Sequence, residues 1–420
     1  MSDAVTGDAV TSNAAGADAA GEDLLFKGLK VLDVSTWIAA PVACIMLADF
    51  GADVVKVEMP EAGDAYRHYA SLPGTPDSTL NYTWIVDGRN KRSLTLNLKD
   101  PRGLAILKKM VTECDVYVTN HPFPLRDRLG LNYEQLKDLN PRMIYASLTA
   151  YGELGPDRGK EGFDLVGYWS RSGLMDMVRS AGAKPVQALP GQGDHPTAVS
   201  LYAAIVTALL RRERTGKGSH VHTSLLANGV WSMACLAQAK LCGADMSPYR
   251  NPDRVALTGT LLLTKDQRYL QFAMVRAPEE IQALIRALGL GHLLEDARFA
   301  TPEARMAHGK ELVALCEPVA AAKTAKEWMV IFAAAGVPAQ LVETLDDLLV
   351  DPQIELNGIF AAPADDVGVE RVVNQPVFVD GLPRAGIRRS PEIGEHSVEI
   401  LAALGYGDDE IGQLLADGVV

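Results

Sequence analysis

The sequence predicts an α/β chain, with a Rossmann-like, doubly wound parallel sheet in a large domain and a smaller α+β domain after it. Three observations carry this. Leu29 to Arg67 reads as strand, crossover helix and strand within about forty residues, a βαβ unit whose crossover is right-handed. The same alternation then repeats through Leu148. Past Tyr249 the pattern changes to short strands separated by a turn, with helices around them.

In order along the chain, Lys30 to Val34 is an apolar run that reads as a buried strand. Ala39 to Phe50 changes to helical spacing, and Gly51 stops that helix where a C-terminal glycine belongs. Val54 to Glu58 is a second, β-branched strand. The turn between, Ser35 to Pro41, has small residues but no G-x-G-x-x-G. It could receive a phosphate at the helix N-terminus, or simply let helix and strand pack.

Arg89-Asn90-Lys91-Arg92 is the densest basic cluster and leads into a strand from Ser93 to Leu98. It reads either as a solvated edge or as an anion site. A helix from Gly103 to Cys114, a strand from Val116 to Asn120 and helices at Leu125 to Leu129 and Leu131 to Leu139 follow. The next strand is Met143 to Leu148. Gly162-Phe163-Asp164 opens an aromatic, apolar helix, and the turn Pro190 to Pro196 precedes a long helix, Thr197 to Arg214. A strand at Val221 to Leu225 and a helix from Ala227 to Cys242 close this part. Leu261 to Leu263 and Tyr269 to Phe272 form a hairpin, with helices at Pro278 to Leu288 and Ala322 to Ala335. Two helices end the chain, one opening at Gly394 to His396 and one from Asp408 to Leu415.

Composition narrows the function. The chain has 420 residues, 48% of them hydrophobic, which is ordinary for a globular protein of one large or two smaller domains. A net charge of −13 argues against nucleic acid or an anionic membrane surface as the main partner, so an anionic ligand needs a local basic pocket. Five scattered cysteines without a C-x-x-C pair indicate neither a zinc site nor a disulfide framework. The first residues are small and polar, which reads as a disordered tail over 1–25 rather than a signal peptide. No apolar run reaches transmembrane length, and a cytoplasmic location is expected.

Five ordered blocks together resemble the family III CoA-transferases, the CaiB/BaiF group that holds formyl-CoA transferase, carnitine CoA-transferase and α-methylacyl-CoA racemase. They are LKVLDVSTWIAAPVACIMLADFGADVVKVE, NKRSLTLNLKDPRG, DRLGLNYEQLKDLNPRMIYASLTAYGELGP, LLRRERTGKGSHVHTSL and IGEHSVEILAALGYGDDEIGQLLADGVV. The resemblance implies a CoA-binding large domain over 26–245, a small domain over 250–365 and a C-terminal segment, 366–420, returning to the first. It also implies two ring-shaped chains interlocked in a dimer, and an acyl-CoA and a carboxylic acid as substrates without a permanently bound cofactor. CoA would lie along Ile38, Ala39, Leu96, Asn97, Lys99, Asn120, His121 and Arg128, with Lys91, Arg92 and Lys99 as phosphate charges. Met59 stands where some relatives carry an arginine.

In these transferases an aspartate attacks the thioester and forms an acyl anhydride reactive enough for thiolate to split again. A gap-free match puts Gly182 or Ala183 at that position, and the one acid in the window is Asp176. Racemases pair a histidine with the acid that corresponds to Asp164, but here Phe163 precedes it. Asp194, in Gly193-Asp194-His195, matches their second acid. Three readings follow. The chain is a transferase using Asp176, Asp164 or another acid after a local shift, with Asp194 also a catalytic candidate; or it is the CoA-binding, non-nucleophilic subunit of a heteromer such as the benzylsuccinate type; or it binds CoA thioesters for a different reaction, as an isomerase or racemase of acyl-CoA. Asp164 and Asp194 read equally as caps of the helices they open. Trp37, Tyr168 and Trp169 would suit a bulky acyl group, but read first as ordinary core aromatics.

Overall fold

The computed structural model describes residues 24–272 and 278–420, so the tail expected over 1–25 lies outside the described residues up to position 23. Contacts divide the chain into two units. The first comprises the chain through Val178, Pro185–Ala237 and Glu355–Val420, and the second Arg179–Lys184 and Gln238–Ile354.

The first unit is built on β1 (Lys30–Val34), α1 (Ala39–Ala48), β2 (Asp53–Glu58), α2 (Tyr82–Asp87), β3 (Arg92–Thr95), α3 (Pro101–Val111) and β4 (Val116–Thr119). It continues with α4 (Phe123–Leu129), α5 (Tyr133–Leu136), β5 (Ile144–Thr149), α6 (Leu174–Met177), α7 (Asp194–Thr215), β6 (Ser219–Ser224) and α8 (Leu225–Ser232). The six strands pair in parallel in the order β3-β2-β1-β4-β5-β6. Strand order reverses between β1 and β4, so the loops leaving these strands part there and open a crevice at their C-terminal ends.

Alternation along the strands separates the two faces. Val31, Val54, Val116, Ile144 and Ala146 pack with α1 and α7, whereas Leu32, Val55, Leu94, Tyr117 and Tyr145 pack with α3 and the C-terminal helices. Burial on both faces is why the central strands are almost continuously apolar. Every residue of α1 is buried, in keeping with a helix apolar all round.

The chain returns at its end to β3. The His396 N–H donates to the Ser93 carbonyl at 3.0 Å, and the Asn97 N–H donates to the Val419 carbonyl at 2.8 Å. The helices Ser397–Ala403 and Asp408–Ala416 add Ile400, Leu401, Ile411 and Leu414 to the core. The edge strand is thereby covered rather than left open for another chain to pair with.

The second unit has an antiparallel sheet of β7 (Leu262–Leu263), β8 (Tyr269–Phe272) and β9 (Ala339–Leu341), with β8 central. Helices Pro278–Ala287, Gly309–Ala320 and Ala325–Ala334 close a core around Trp328, which stacks on Phe332 at 5.3 Å.

Two of the elements that differ from the sequence reading have a local cause. The helix read from Ala227 to Cys242 is two helices, broken at Met233. The Ser232 hydroxyl donates back to the Asn228 carbonyl at 3.0 Å, a bond that competes with the helical ladder. The long helix begins at Asp194, three residues before Thr197, because Pro196 in a first turn removes no needed N–H.

Candidate active site

The crevice side of the sheet is held by buried charge. Lys91 Nζ donates to Asp33 Oδ2 and to the Pro41 carbonyl, both at 2.8 Å. Lys56 Nζ lies 2.7 Å from Asp64 Oδ2 and 3.8 Å from Asp33 Oδ2. Burial works to raise the Asp33 carboxyl, but Lys56, Lys91 and the Ser35 hydroxyl together hold it below the usual range. Asp64 Oδ1 accepts the N–H groups of Trp37 (3.1 Å) and Tyr66 (3.0 Å). This pins Trp37 at φ +67°, a conformation that costs an aromatic residue about 1–3 kcal/mol. Asn120 clamps the adjacent residue: it accepts from the Thr36 N–H at 2.9 Å and donates to the Thr36 carbonyl at 2.7 Å. The loops after β1 and β4 are thus tied together across the switch point.

Trp37 begins an aromatic wall. Its ring lies 5.1 Å from Phe163, 6.3 Å from Tyr66 and 6.4 Å from Tyr69, and Tyr66 stacks on Tyr69 at 5.5 Å. Phe163 is more than half exposed and directly precedes Asp164. Tyr168 and Trp169 pack with the core around α1 and α7.

Asp164 is buried, and its Oδ2 accepts the Gly193 N–H at 3.0 Å, which sets it beside the N-terminus of α7. Neither acid caps the helix it opens. Asp164 makes no cap bond to its own turn, and Asp194 is the first helical residue behind Gly193. The fit is tight: a Cβ on Gly193 would stand 2.6 Å from Tyr168 Cγ and 2.9 Å from Asp164 Cβ. Burial, then the neighbouring Asp164 charge, push the Asp194 carboxyl up to about 7, while His195 pulls it down and Asp87 adds a smaller push upward. The next residue, His195, presents Nδ1 to the Gly191 carbonyl at 3.0 Å and Nε2 to Asp87 Oδ1 at 3.2 Å. Asp87 Oδ2 in turn accepts the Tyr66 hydroxyl at 2.7 Å. Neither Tyr66 nor Asp87 carried any signal in the sequence, because the two are distant in the chain from each other and from the acids they surround.

The structure brings Asp164 and Asp194 together, and Asp176 is exposed on the short α6. The stretch 179–184, which holds Gly182 and Ala183, belongs to the second unit, whereas Asp194 belongs to the first. Among the CoA candidates, Ile38 and Ala39 open α1, Leu96, Asn97 and Lys99 follow β3, and Asn120 and His121 follow β4, all at C-terminal strand ends. Lys99 and Arg128 are exposed. Burial, with the Lys56 and Arg126 charges, holds the His121 imidazole down at about 4, so it is neutral. Two expected phosphate ligands are corrected. Lys91 is wholly buried in its pair with Asp33, and Arg92 binds Asp53 (2.6 Å) and Glu399 (3.0 Å) near the opposite, N-terminal ends of the strands. Among the described residues no cluster of three or more histidine, cysteine or acidic groups could hold a metal, and no helix is long and apolar enough to cross a membrane.

The chain is similar to known proteins over nearly its whole length. The (R)-2-hydroxy-4-methylpentanoate CoA-transferase of Clostridioides difficile is 31% identical over 94% of this chain and all of its own length. The cinnamoyl-CoA:phenyllactate CoA-transferase of Clostridium sporogenes is 33% identical over 94% of this chain and 96% of that one. A CAIB/BAIF family protein from Brucella suis, known by crystal structure, superposes with a TM-score of 0.79 at 30% identity, over 91% of this chain and all of that one. The model of CoA-transferase family III matches residues 26–397, and with these relatives it shows that the chain belongs to that family, whose members move CoA between an acyl thioester and a carboxylic acid.

Proposed function

We propose that this chain transfers CoA from an acyl-CoA to a free carboxylic acid with Asp194 as the nucleophile. The observation that carries the reading is the Asp194 carboxylate itself. It sits at the first position of α7, beside Asp164 and His195, and accepts no hydrogen bond from the described residues. In the first step a carboxylate oxygen of Asp194 attacks the thioester carbonyl, the C–S bond breaks, and CoA leaves as thiolate. The thiolate then attacks the aspartyl carbonyl of the anhydride, releasing the donor acid and leaving CoA on Asp194. The acceptor carboxylate enters by the reverse of these steps, leaves as its CoA thioester and regenerates Asp194. Nothing is oxidised, and no proton is required at the reacting carbons.

Lys99, Arg128 and the strand-end residues Ile38, Ala39, Leu96, Asn97, Asn120 and His121 are proposed to receive CoA. The aromatic wall of Trp37, Tyr66, Tyr69 and Phe163 favours an apolar or aromatic acyl group, by area and by ring stacking. A chain carrying its own carboxylate at this place has no need of a paralogous subunit to supply one, so the reading is of a self-sufficient homo-oligomer in the cytoplasm. A racemase reading lacks its base. Phe163 holds the place before Asp164, and both nitrogens of His195 already face acceptors.

The test is acyl transfer by the purified chain from a panel of acyl-CoA donors to aliphatic, dicarboxylic and aryl acids, read by liquid chromatography. Hydroxylamine trapping with peptide mass spectrometry locates the acylated residue. We expect hydroxamate on Asp194 and at least a 10³-fold loss of transfer in Asp194→Asn. Full activity in that variant, or the label on Asp176 or Asp164, overturns the assignment.

A further inference from the structure

His195 has no part in the chemistry above, yet its ring is more firmly placed than the nucleophile beside it. Nδ1 faces a backbone carbonyl and Nε2 faces a carboxylate. A carbonyl oxygen only accepts. The other oxygen of Asp87 already accepts a hydrogen bond from the Tyr66 hydroxyl. The proton between Nε2 and Asp87 belongs on the imidazole, which is the stronger base by more than two pH units. Both ring nitrogens therefore donate, and His195 is a cation. Burial pushes it down, but the bond to Asp87, the Asp87 charge and the Gly191 carbonyl raise it to about 9.

The charges around Asp194 come from three other elements. Asp164 opens the turn after β5, Asp87 ends α2, and Tyr66 and Tyr69 stand on the segment between β2 and α2. Two of these groups are carboxylates, and the tyrosines carry no charge at neutral pH. Arrayed alone, the three acids would drive a proton onto the one that is to act as nucleophile.

We propose that Tyr66, Asp87 and His195 form a relay that fixes a full positive charge beside Asp194 and so sets the pH above which the nucleophile is ionised. His195 is then a positioning residue that acts through Asp194 and does not touch the acyl group. The inference rests on Asp194 being the nucleophile.

The experiment is the pH profile of kcat/KM for wild type, His195→Gln and His195→Arg between pH 5 and 9.5, with CoA binding followed by calorimetry as the check of fold. The neutral glutamine moves the acid limb of the profile up by about one pH unit. Activity at pH 6 falls about tenfold, and at pH 8.5 by no more than about twofold. Arginine, which keeps the charge, restores the wild-type limb. A uniform loss at every pH, or an unmoved limb, overturns the relay. Should His195→Gln fail to bind CoA, His195→Asn repeats the measurement with a shorter neutral amide. The two readings fail separately. An active Asp194→Asn removes the nucleophile assignment and the relay with it. An inactive Asp194→Asn beside an unshifted His195→Gln profile removes the relay alone.

Discussion

Gly193→Ala is the most local perturbation of the acid pair. Gly193 has φ −94°, so alanine is conformationally permitted there and the cost is steric alone. The added Cβ would meet Tyr168 Cγ at 2.6 Å and Tyr168 Cβ at 2.8 Å, about 1 Å inside the distance at which carbons pack. Neither neighbour is the free end of a flexible chain. Tyr168 is buried, its hydroxyl bonds Ser232, and the third contact is Asp164 Cβ at 2.9 Å. Relief requires α7 and its first residue to back away, stretching the 3.0 Å bond from the Gly193 N–H to Asp164. Overpacking of this kind costs about 1–3 kcal/mol of stability. A displacement near 1 Å at a reacting group costs about 10²-fold in rate. The assay is kcat for CoA transfer beside thermal unfolding, with Gly412→Ala as control, since nothing lies within 4 Å of a Cβ there. An enzyme folded to within 3 kcal/mol of wild type but slowed about a hundredfold is expected. A Gly193→Ala protein with kcat within threefold of wild type would refute the tight coupling of Asp164, Gly193 and Asp194.

Three further outcomes follow from the same geometry. Lys91→Met leaves Asp33 with a single cation 3.8 Å away, and urea unfolding should show a loss of about 3 kcal/mol, while CoA affinity of the folded protein stays within about threefold. A large loss of affinity without loss of stability would return Lys91 to the phosphate site. Lys99→Ala combined with Arg128→Ala should raise KM for acyl-CoA about tenfold, more at low salt than at high, with kcat held within about twofold. Steady-state kinetics at two ionic strengths decide it. Transfer activity rises as pH passes about 7, because Asp194 attacks only as the carboxylate, and stays level as His195 loses its proton near 9, where Asp194 is ionised with or without that charge. A profile flat from pH 5.5 to 8 would contradict the assignment of Asp194.

The sheet was legible wherever a strand is buried on both faces, because an apolar run such as Lys30 to Val34 cannot satisfy any other pattern as well. β9 was not, since Ala339–Leu341 has three residues, none buried, and gains its place only by pairing with β8. The site was less legible than the fold for a related reason. Composition around Lys91 points to an anion, and Lys91 does bind one. That anion is the chain's own Asp33, 58 positions away, and no local pattern announces it. Asp164 and Asp194 were visible as acids at helix starts, where capping is the ordinary explanation. What removes the capping reading is a backbone N–H from Gly193 and a register of one residue, neither of which periodicity can resolve. Asp176 stood out only as the one acid in the window from Ser172 to Pro185, where a polar loop residue is the ordinary explanation, and part of that window, Arg179–Lys184, belongs to the other unit.

The buried charges matter to function more than to stability. A pair such as Lys56 and Asp64 roughly breaks even against apolar residues of the same size. Its geometry, however, does something apolar residues cannot. With Lys56 holding one carboxylate oxygen of Asp64, the other is left for two backbone N–H groups, those of Trp37 and Tyr66. One accepts the left-handed turn that aims Trp37 at Phe163, and the other starts the segment whose hydroxyl fixes Asp87. Asp64 therefore connects the sheet to the aromatic wall and to the holder of His195 at once. Replacing Asp64 by asparagine keeps its shape but removes the charge that Lys56 balances. The expected result is a protein that still binds CoA through the strand ends, with donor preference broadened and the acid limb of the pH profile displaced together. Loss of either alone would mean that the aromatic wall and the relay are held independently.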